Sequence, residues 1–285
     1  MILFPCEYND IKKVDDNFLR EYNACQTLNI DTALFDHDKF VNDGKLITNL
    51  EKSDVEIDII LRGWMLNKTQ YYNLYQKLFN RKYKLINNPI QYLHCHYFPN
   101  VLKDIRKFTP ETKWFYQIDI CDDLLRVVHS DLKSDVIIKD FVKSEKGNPD
   151  GLFKISKNIG YYDFDKFIQK FIAARFPLFE EGIVLKEFVE LKKDGLGNTN
   201  EWRAFYKNGT LVSLDPNSNQ QDDANKPDNF YLYEVSKSIT KSKFFTIDVA
   251  EKENGQWIVL ECGDGQVSGL TPKTNELEYY EQLIK

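Results

Sequence analysis

Asp248 and Glu261 bracket Asn254-Gly255, the dipeptide that most strongly signals a two-residue hairpin turn with positive φ at both central positions. A hairpin turned there sets Asp248 opposite Glu261, Ile247 opposite Cys262 and Val249 opposite Leu260. The apolar pairs then share one face and anchor the strands, while the carboxylates project together from the other. Facing side chains have Cβ atoms about 4.5–5.5 Å apart, and like charges at that distance repel. A divalent cation between them removes the cost, and hard Mg²⁺ accepts one or two carboxylates together with phosphate oxygens. The alternative is a pair of ordinary solvated strand carboxylates.

Three basic residues extend this chemistry toward a phosphorylated ligand. In the strand Val136–Val142, alternation places Lys139 on the face of Ile137 and Phe141, so its ammonium is pressed toward an apolar surface. Such a lysine either snorkels or needs an anion, and a nucleotide phosphate would serve. The polar, glycine-ended segment Lys143–Gly147 follows directly and reads as a flap over phosphates. Lys186 repeats the arrangement beside Val184 and Phe188. Arg203 lies on a second hairpin, turned at Asn208-Gly209, opposite Leu214, where it is either a solvated edge residue or the partner of an anion.

The elements that must hold these residues divide the chain unevenly. Short apolar strands at Met1–Pro5, Thr32–Phe35 and Ile57–Leu61 alternate with helical spacing at Asp15–Leu28 and Tyr71–Phe79, which implies a small layered α/β unit with a largely parallel sheet. Leu85–Pro89 reads as a strand followed by a turn. Pro110 disfavours helix at the residue before it and marks a boundary at Thr109–Thr112. Beyond it, hairpin strands predominate, with a helix at Asp163–Arg175 and a long polar loop at Asp215–Asn229. Arg62, just after Ile57–Leu61, occupies a strand end of the kind that meets a ligand crevice. It is expected either to hold a substrate carboxylate or to be a surface arginine near a turn.

Composition narrows the function classes. The 285 residues suffice for about two domains. A net charge of -6 with no basic stripe argues against non-specific nucleic-acid or membrane adhesion. The odd, scattered set Cys6, Cys25, Cys95, Cys121 and Cys262 contains no CxxC pair and reads as reduced and intracellular. No run reaches the roughly 18 apolar residues of a membrane helix, so a cytoplasmic location is expected. Strand alternation would send His94 and His96 to one face as only two ligands, so both read as structural. Glu181–Lys186 and Lys192–Gly195 resemble the EGxxxK and KxDG motifs of polynucleotide ligases. In that family KxDG comes first, so the order here is wrong.

Taken in order, a longer series of residues resembles an ATP-grasp enzyme, of the clade named for two arginines and a lysine. The series begins with Leu61-Arg62-Gly63-Trp64-Met65, Leu85-Ile86-Asn87-Asn88-Pro89, Gln91-Tyr92, His96-Tyr97-Phe98-Pro99 and Thr109-Pro110-Glu111-Thr112. It continues with the Lys139 strand, the Glu187-Phe188-Val189 hinge, Glu201-Trp202-Arg203 and the Asp248/Glu261 pair. The resemblance implies a mixed α/β and α+β fold: a small N-terminal α/β (pre-ATP-grasp) domain at 1–112, then the two ATP-grasp lobes at 113–190 and 191–285. It implies ATP between the lobes, with Lys139 and the flap residue Lys143 at the phosphates. Lys186 and the backbone of Glu187, Phe188 and Val189 would meet adenine, and Glu190 the ribose. Arg203 would steady the transferred phosphate, while Asp248 and Glu261 would hold Mg²⁺. Such enzymes activate a carboxylate for attack by an amine or other nucleophile, so small-molecule or peptide carboxylates and amines are the expected partners, without membrane or nucleic acid. Many members carry an asparagine metal ligand where this chain has Gly263. Either Asp264 bends inward to replace it, or the metal has fewer protein ligands. A nucleotidyltransferase-type polynucleotide ligase and a non-catalytic nucleotide-binding module are the alternatives.

Overall fold

The computed structural model describes residues 1–116 and 121–285. The first sheet contains β1 (Ile2–Glu7), β2 (Asp10–Val14), β3 (Thr32–Phe35), β4 (Ile57–Leu61) and β5 (Tyr83–Leu85). β3 and β4 run parallel to β1, and β5 parallel to β4, while β2 folds back antiparallel. α1 (Leu19–Thr27), α2 (His37–Asp43) and α3 (Lys68–Phe79) supply the connections.

Two helices then lead out of this unit, α4 (Pro89–His96) and α5 (Phe98–Ile105). Asn87-Asn88-Pro89 is therefore a helix start and not a turn. The Asn88 side chain caps the amide of Gln91 at 2.9 Å, the Gln91 side chain answers the amide of Asn88 at 2.9 Å, and Pro89 needs no donor at the first helical position. The same caps carry His94 and His96 onto a helix, against the strand expected for them.

The second sheet, β6 (Thr112–Phe115), β7 (Val136–Asp140), β8 (Lys154–Ile155) and β9 (Ile183–Glu187), is antiparallel in the order β6-β9-β7-β8. α6 (Cys121–Arg126) and α7 (Tyr161–Arg175) cover one side of it, where Val136, Ile138, Phe164, Phe171, Ile183 and Leu185 form a core. The third sheet, β10 (Glu201–Lys207), β11 (Thr210–Pro216), β12 (Phe244–Glu251) and β13 (Trp257–Asp264), is antiparallel in the order β11-β10-β12-β13. α8 (Asn229–Ser238) precedes β12, and α9 (Glu276–Leu283) follows β13.

The third sheet packs on both faces, and neither core is its own. Phe245, Ile247 and Val249 meet Cys95, Phe98 and Val101 of α4 and α5, with Leu232 and Val235 of α8. On the other face Phe205 and Phe244 join Ile2 and Phe4 of β1 and Tyr279, Tyr280 and Leu283 of α9. One face of the N-terminal sheet is thus covered by residues from far along the chain, while its other face carries a core of the unit's own, around Leu3, Phe35, Phe40, Leu61, Tyr71 and Leu74. Cys6, Cys25, Cys95 and Cys262 are buried and free, while the side chain of Cys121 falls outside those described. No helix among the described residues is long and apolar enough to cross a membrane.

Candidate active site

The β12–β13 hairpin brings Asp248 opposite Glu261 and Ile247 opposite Cys262, but by a different route from the one expected. Of Asn254 and Gly255 only the glycine has positive φ, at 81°. The amide of Lys252 donates to Gln256 at 2.8 Å and that of Gly255 to Lys252 at 2.9 Å, so the loop runs from Glu253 to Gly255, one residue longer than a two-residue turn. Uncorrected, the extra residue would set Leu260 opposite Asp248 and drive Glu261 into the apolar core. A β-bulge absorbs it: Val249 faces Val259, Leu260 is left over, and the carboxylates face each other. The expected Val249–Leu260 pair does not form.

The β10–β11 hairpin turns at Asn208 (φ 50°) and Gly209 (φ 80°), as expected of a two-residue loop. A bulge between Phe205 and Tyr206 then shifts the register, so Arg203 faces Asp215 and not Leu214. Its other neighbour, on β12, is Asp248. The guanidinium holds that carboxylate at two points, 2.8 and 2.6 Å, and gives a third N–H to the Gly269 carbonyl at 2.9 Å.

Glu261 is balanced in the same way. Lys139, 7% exposed, reaches across from β7 and donates to Glu261 Oε1 at 2.7 Å. Burial opposes the charge on Glu261, but 43% of its side chain still meets solvent, and the ammonium of Lys139, with Lys143 and Lys146 behind it, holds its pKa down to about 2. Basic side chains therefore offset the repulsion between the facing carboxylates.

Lys186 from β9 donates to the carbonyls of Val259 and Leu260 at 3.2 and 2.6 Å, at the bulge. The irregularity that sets the register therefore also gives this ammonium its acceptors. Burial and the neighbouring Lys139 push its pKa down to about 7. Both ammoniums lie over the Phe98 ring, 5.2 and 4.8 Å from its centroid.

The segment after β7 is fixed by two residues that no sequence motif marks. Buried Asp140 accepts the amides of Val142 at 2.7 Å and Lys143 at 2.6 Å, and Arg175 of α7 bridges Asp140 at 2.8 Å and Glu145 at 3.1 Å. Lys143 and Lys146 remain exposed.

Other expected site residues are placed elsewhere. Arg62 is 1% exposed, paired with Glu21 at 2.8 and 3.1 Å, and it donates to the carbonyls of Gly265 and Ser268. It is neither a surface residue nor open to a substrate carboxylate. Asp264 is buried and accepts from Asn87 at 2.6 Å and from the amide of Gln266 at 3.0 Å, while burial raises its pKa to about 7. Its carboxylate is thus committed away from Asp248 and Glu261. A Cβ at Gly263 would stand 2.6 Å from Ser268 Oγ and 2.8 Å from Thr246 Oγ1, so that hydroxyl pair occupies the space a side chain would need. Glu190 is exposed and does not line the cleft, whereas Glu187, Phe188, Val189 and Glu201 do. Lys192 stands outside the cleft, paired with Glu251 at 3.0 Å.

The cleft between the second and third sheets has a volume of about 510 Å³ and two kinds of wall. Ile137, Phe153, Phe188 and Leu260 make an apolar side, and Lys139, Lys146, Lys186 and Arg203 a cationic one beside Asp248 and Glu261. Arg203, Asp248 and Glu261 also wall a smaller cavity of about 90 Å³, which adds His96, Lys143, Thr246 and Ser268. Among the described residues no group of three or more histidine, cysteine or acidic side chains could hold a metal. A divalent ion here would rest on Asp248 and Glu261 and take its other oxygens from a ligand, a donor set that suits hard Mg²⁺.

A family model matches residues 129–283, that of the ATP-grasp domain in the third family of the clade named for two arginines and a lysine. No curated protein matches the sequence. Among solved structures, the ATP-grasp ligase PsnB complexed with minimal precursor is similar at 10% identity and a TM-score of 0.61, over 99% of this chain and 97% of that one. D-cycloserine synthetase DcsG aligns at 12% identity with a TM-score of 0.63, over 99% and 98%. Macrocyclase MdnC bound with precursor peptide MdnA from Microcystis aeruginosa MRC aligns at 12% identity with a TM-score of 0.59, again over 99% and 98%. These likenesses share the fold.

Proposed function

The chain belongs to the ATP-grasp domain family, in the third family of the two-arginine, one-lysine clade, and on that premise we propose that it is an ATP- and Mg²⁺-dependent ligase. It would activate a carboxylate as an acyl phosphate for attack by an amine or similar nucleophile. The observation that carries this reading is the two-sided cleft, whose apolar wall suits a planar base and whose cationic wall suits phosphates.

What each residue holds now supports its role. Lys139 would move from Glu261, and Lys186 from the bulge carbonyls, onto phosphate oxygens, so that Lys186 would meet the nucleotide at its phosphates and not at adenine. Lys143 and Lys146, on the segment clamped by Asp140 and Arg175, would close over them. Glu187, Phe188 and Val189 would border the base. Arg203 would turn part of its guanidinium from Asp248 to the γ-phosphoryl group, whose spreading charge it offsets in the transition state. Asp248 and Glu261, once released, are the residues that would hold Mg²⁺, and the bound ion would offset negative charge on the phosphates.

In the reaction a carboxylate oxygen bonds to the γ-phosphorus as the bond to the β,γ-bridging oxygen breaks, and ADP departs. The nucleophile's nitrogen then bonds to the carbonyl carbon, phosphate leaves with the C–O electron pair, and the nitrogen gives up a proton. The names of the similar structures, which include a precursor peptide and a small-molecule synthetase, support peptide or small-molecule carboxylates and amines as substrates.

The test is the fate of the nucleotide. With MgATP, acid and hydroxylamine the protein should release ADP and phosphate and form a hydroxamate, while α-labelled ATP leaves the chain unlabelled. A labelled chain, with the label lost in Lys192→Ala, would make it a nucleotidyltransferase. Tight ATP binding without turnover of any carboxylate would make it a non-catalytic module.

A further inference from the structure

The ligase reading assigns the large cleft to the nucleotide and leaves the small cavity beside it without a role. We propose that this cavity receives the acid and that His96 is its specificity-determining contact, selecting a carboxylic acid with a hydroxyl or amino group on the carbon next to the carboxylate. The proposal rests on the ligase reading and adds to it the class of acid.

The place of the cavity is set by the residues it shares. Arg203, Asp248 and Glu261 wall both spaces, and an acid that takes the γ-phosphoryl group must approach from the side opposite ADP. Lys143 and Arg203 give the cavity two cations suited to a carboxylate. Thr246 and Ser268 are occupied with each other at 2.9 Å, and Ser268 also donates to the Asp264 carbonyl at 2.9 Å.

His96 differs from these neighbours. It is 6% exposed and lines the cavity, with its ring 4.6 Å from Tyr92 and 5.7 Å from Tyr97. Neither ring nitrogen has a hydrogen-bond partner among the described residues. Its nitrogens are therefore free to take a ligand that enters the cavity. Burial, with Lys143 and Lys139 behind it, pushes the imidazole down to about 3, so at neutral pH it offers one donor and one acceptor and no charge. It is therefore a poor counter-ion for a carboxylate but a good partner for a hydroxyl or amine beside one. A volume of about 90 Å³ admits the carboxylate and the carbon bearing that group, and leaves the rest of the acid outside.

The experiment measures ADP release and hydroxamate formation by the whole chain with MgATP and hydroxylamine, using glycolate, lactate, glycine and alanine against acetate and propionate. Acids bearing the α-group should be used at least tenfold more efficiently. His96→Leu should raise the KM of the best acid at least tenfold while the rise in Tm given by MgATP stays at the parent value, and His96→Gln should recover most of the loss. Should the leucine variant fail to fold, the NMR response of the His96 imidazole in the parent to glycolate, but not to acetate, supports the proposal, and an equal response to both overturns it. Equal use of both kinds of acid, a KM within twofold of the parent in a folded His96→Leu, or turnover of none of these acids would likewise overturn it. If MgATP fails to raise the parent's Tm, the ligase reading itself falls and takes the proposal with it.

Discussion

Arg203 and Lys139 neutralise Asp248 and Glu261 before any ligand arrives, so metal and nucleotide should bind as one. A lone divalent ion would have to break a two-point guanidinium contact and an ammonium contact with nothing to offer the released cations, whereas MgATP supplies phosphates for them. Mn²⁺ alone, followed by electron paramagnetic resonance, should therefore bind at least tenfold more weakly than Mn²⁺ with a non-hydrolysable ATP analogue, and Arg203→Met should narrow the gap. Equal binding in the two conditions would refute the exchange. Lys186 adds a proton signature. Its folded pKa of about 7 lies below the unfolded value of about 10.4. Across that window the unfolded chain binds a proton that the folded one lacks, so this residue's contribution to ligand-free stability grows as pH rises and is lost as pH falls through about 7. Phosphates beside Lys186 would reverse the shift, so ATP binding at pH 8 should take up a proton. Calorimetry in buffers of different ionisation enthalpy should detect that uptake, and Lys186→Met should abolish it. Lys139, Lys186, Asp248 and Glu261 were legible as charges on strand faces because strand periodicity alone exposes them. The environment of Arg62 was not, because its partner Glu21 lies on another element, and His96 was misread because helix caps, not alternation, decide its neighbourhood.

Among the elements, strands were legible where apolar residues cluster, and β3, β4 and β7 begin at the expected residues. α8 and α9 went unread because their buried stripes are narrow and their caps, Asp228 and Asn275, sit in polar stretches that look like loop. Hairpin register was legible only as far as the first bulge, since a bulge is set by what the far strand must avoid burying. The segment after β7 shows a further dependence between elements, because α7 holds it through Arg175. Arg175→Ala would leave the fully buried Asp140 carboxylate without its cation, at a cost of about 3 kcal/mol. Amide exchange over Lys143–Gly147 should accelerate more than in β7, and MgATP should restore part of the protection. Uniform exchange across both would show that Arg175 supports the lobe as a whole and not this segment.

For the whole molecule, the N-terminal unit expected at 1–112 has its own sheet and, on one face, its own core around Leu3, Phe35, Phe40, Leu61, Tyr71 and Leu74, while its other face is covered by residues from far along the chain. Arg62, Glu21 and Tyr280 form a buried polar link between its second half, α1 and α9, with Tyr280 donating to Glu21 at 2.6 Å. A fragment of residues 1–112 would keep the first core but uncover Ile2 and Phe4, so its thermal transition by circular dichroism should fall well below that of the whole chain, and an equal Tm would contradict the shared face. That sharing also has a consequence in time. Leu283 is made about 280 residues after Ile2, at roughly 5–20 residues per second. β1 must therefore wait on the order of 15–60 s, with this apolar face uncovered, for the helix that closes over it. A ribosome-bound chain stalled before Glu276 should bind chaperone through β1 and release it only once α9 has emerged.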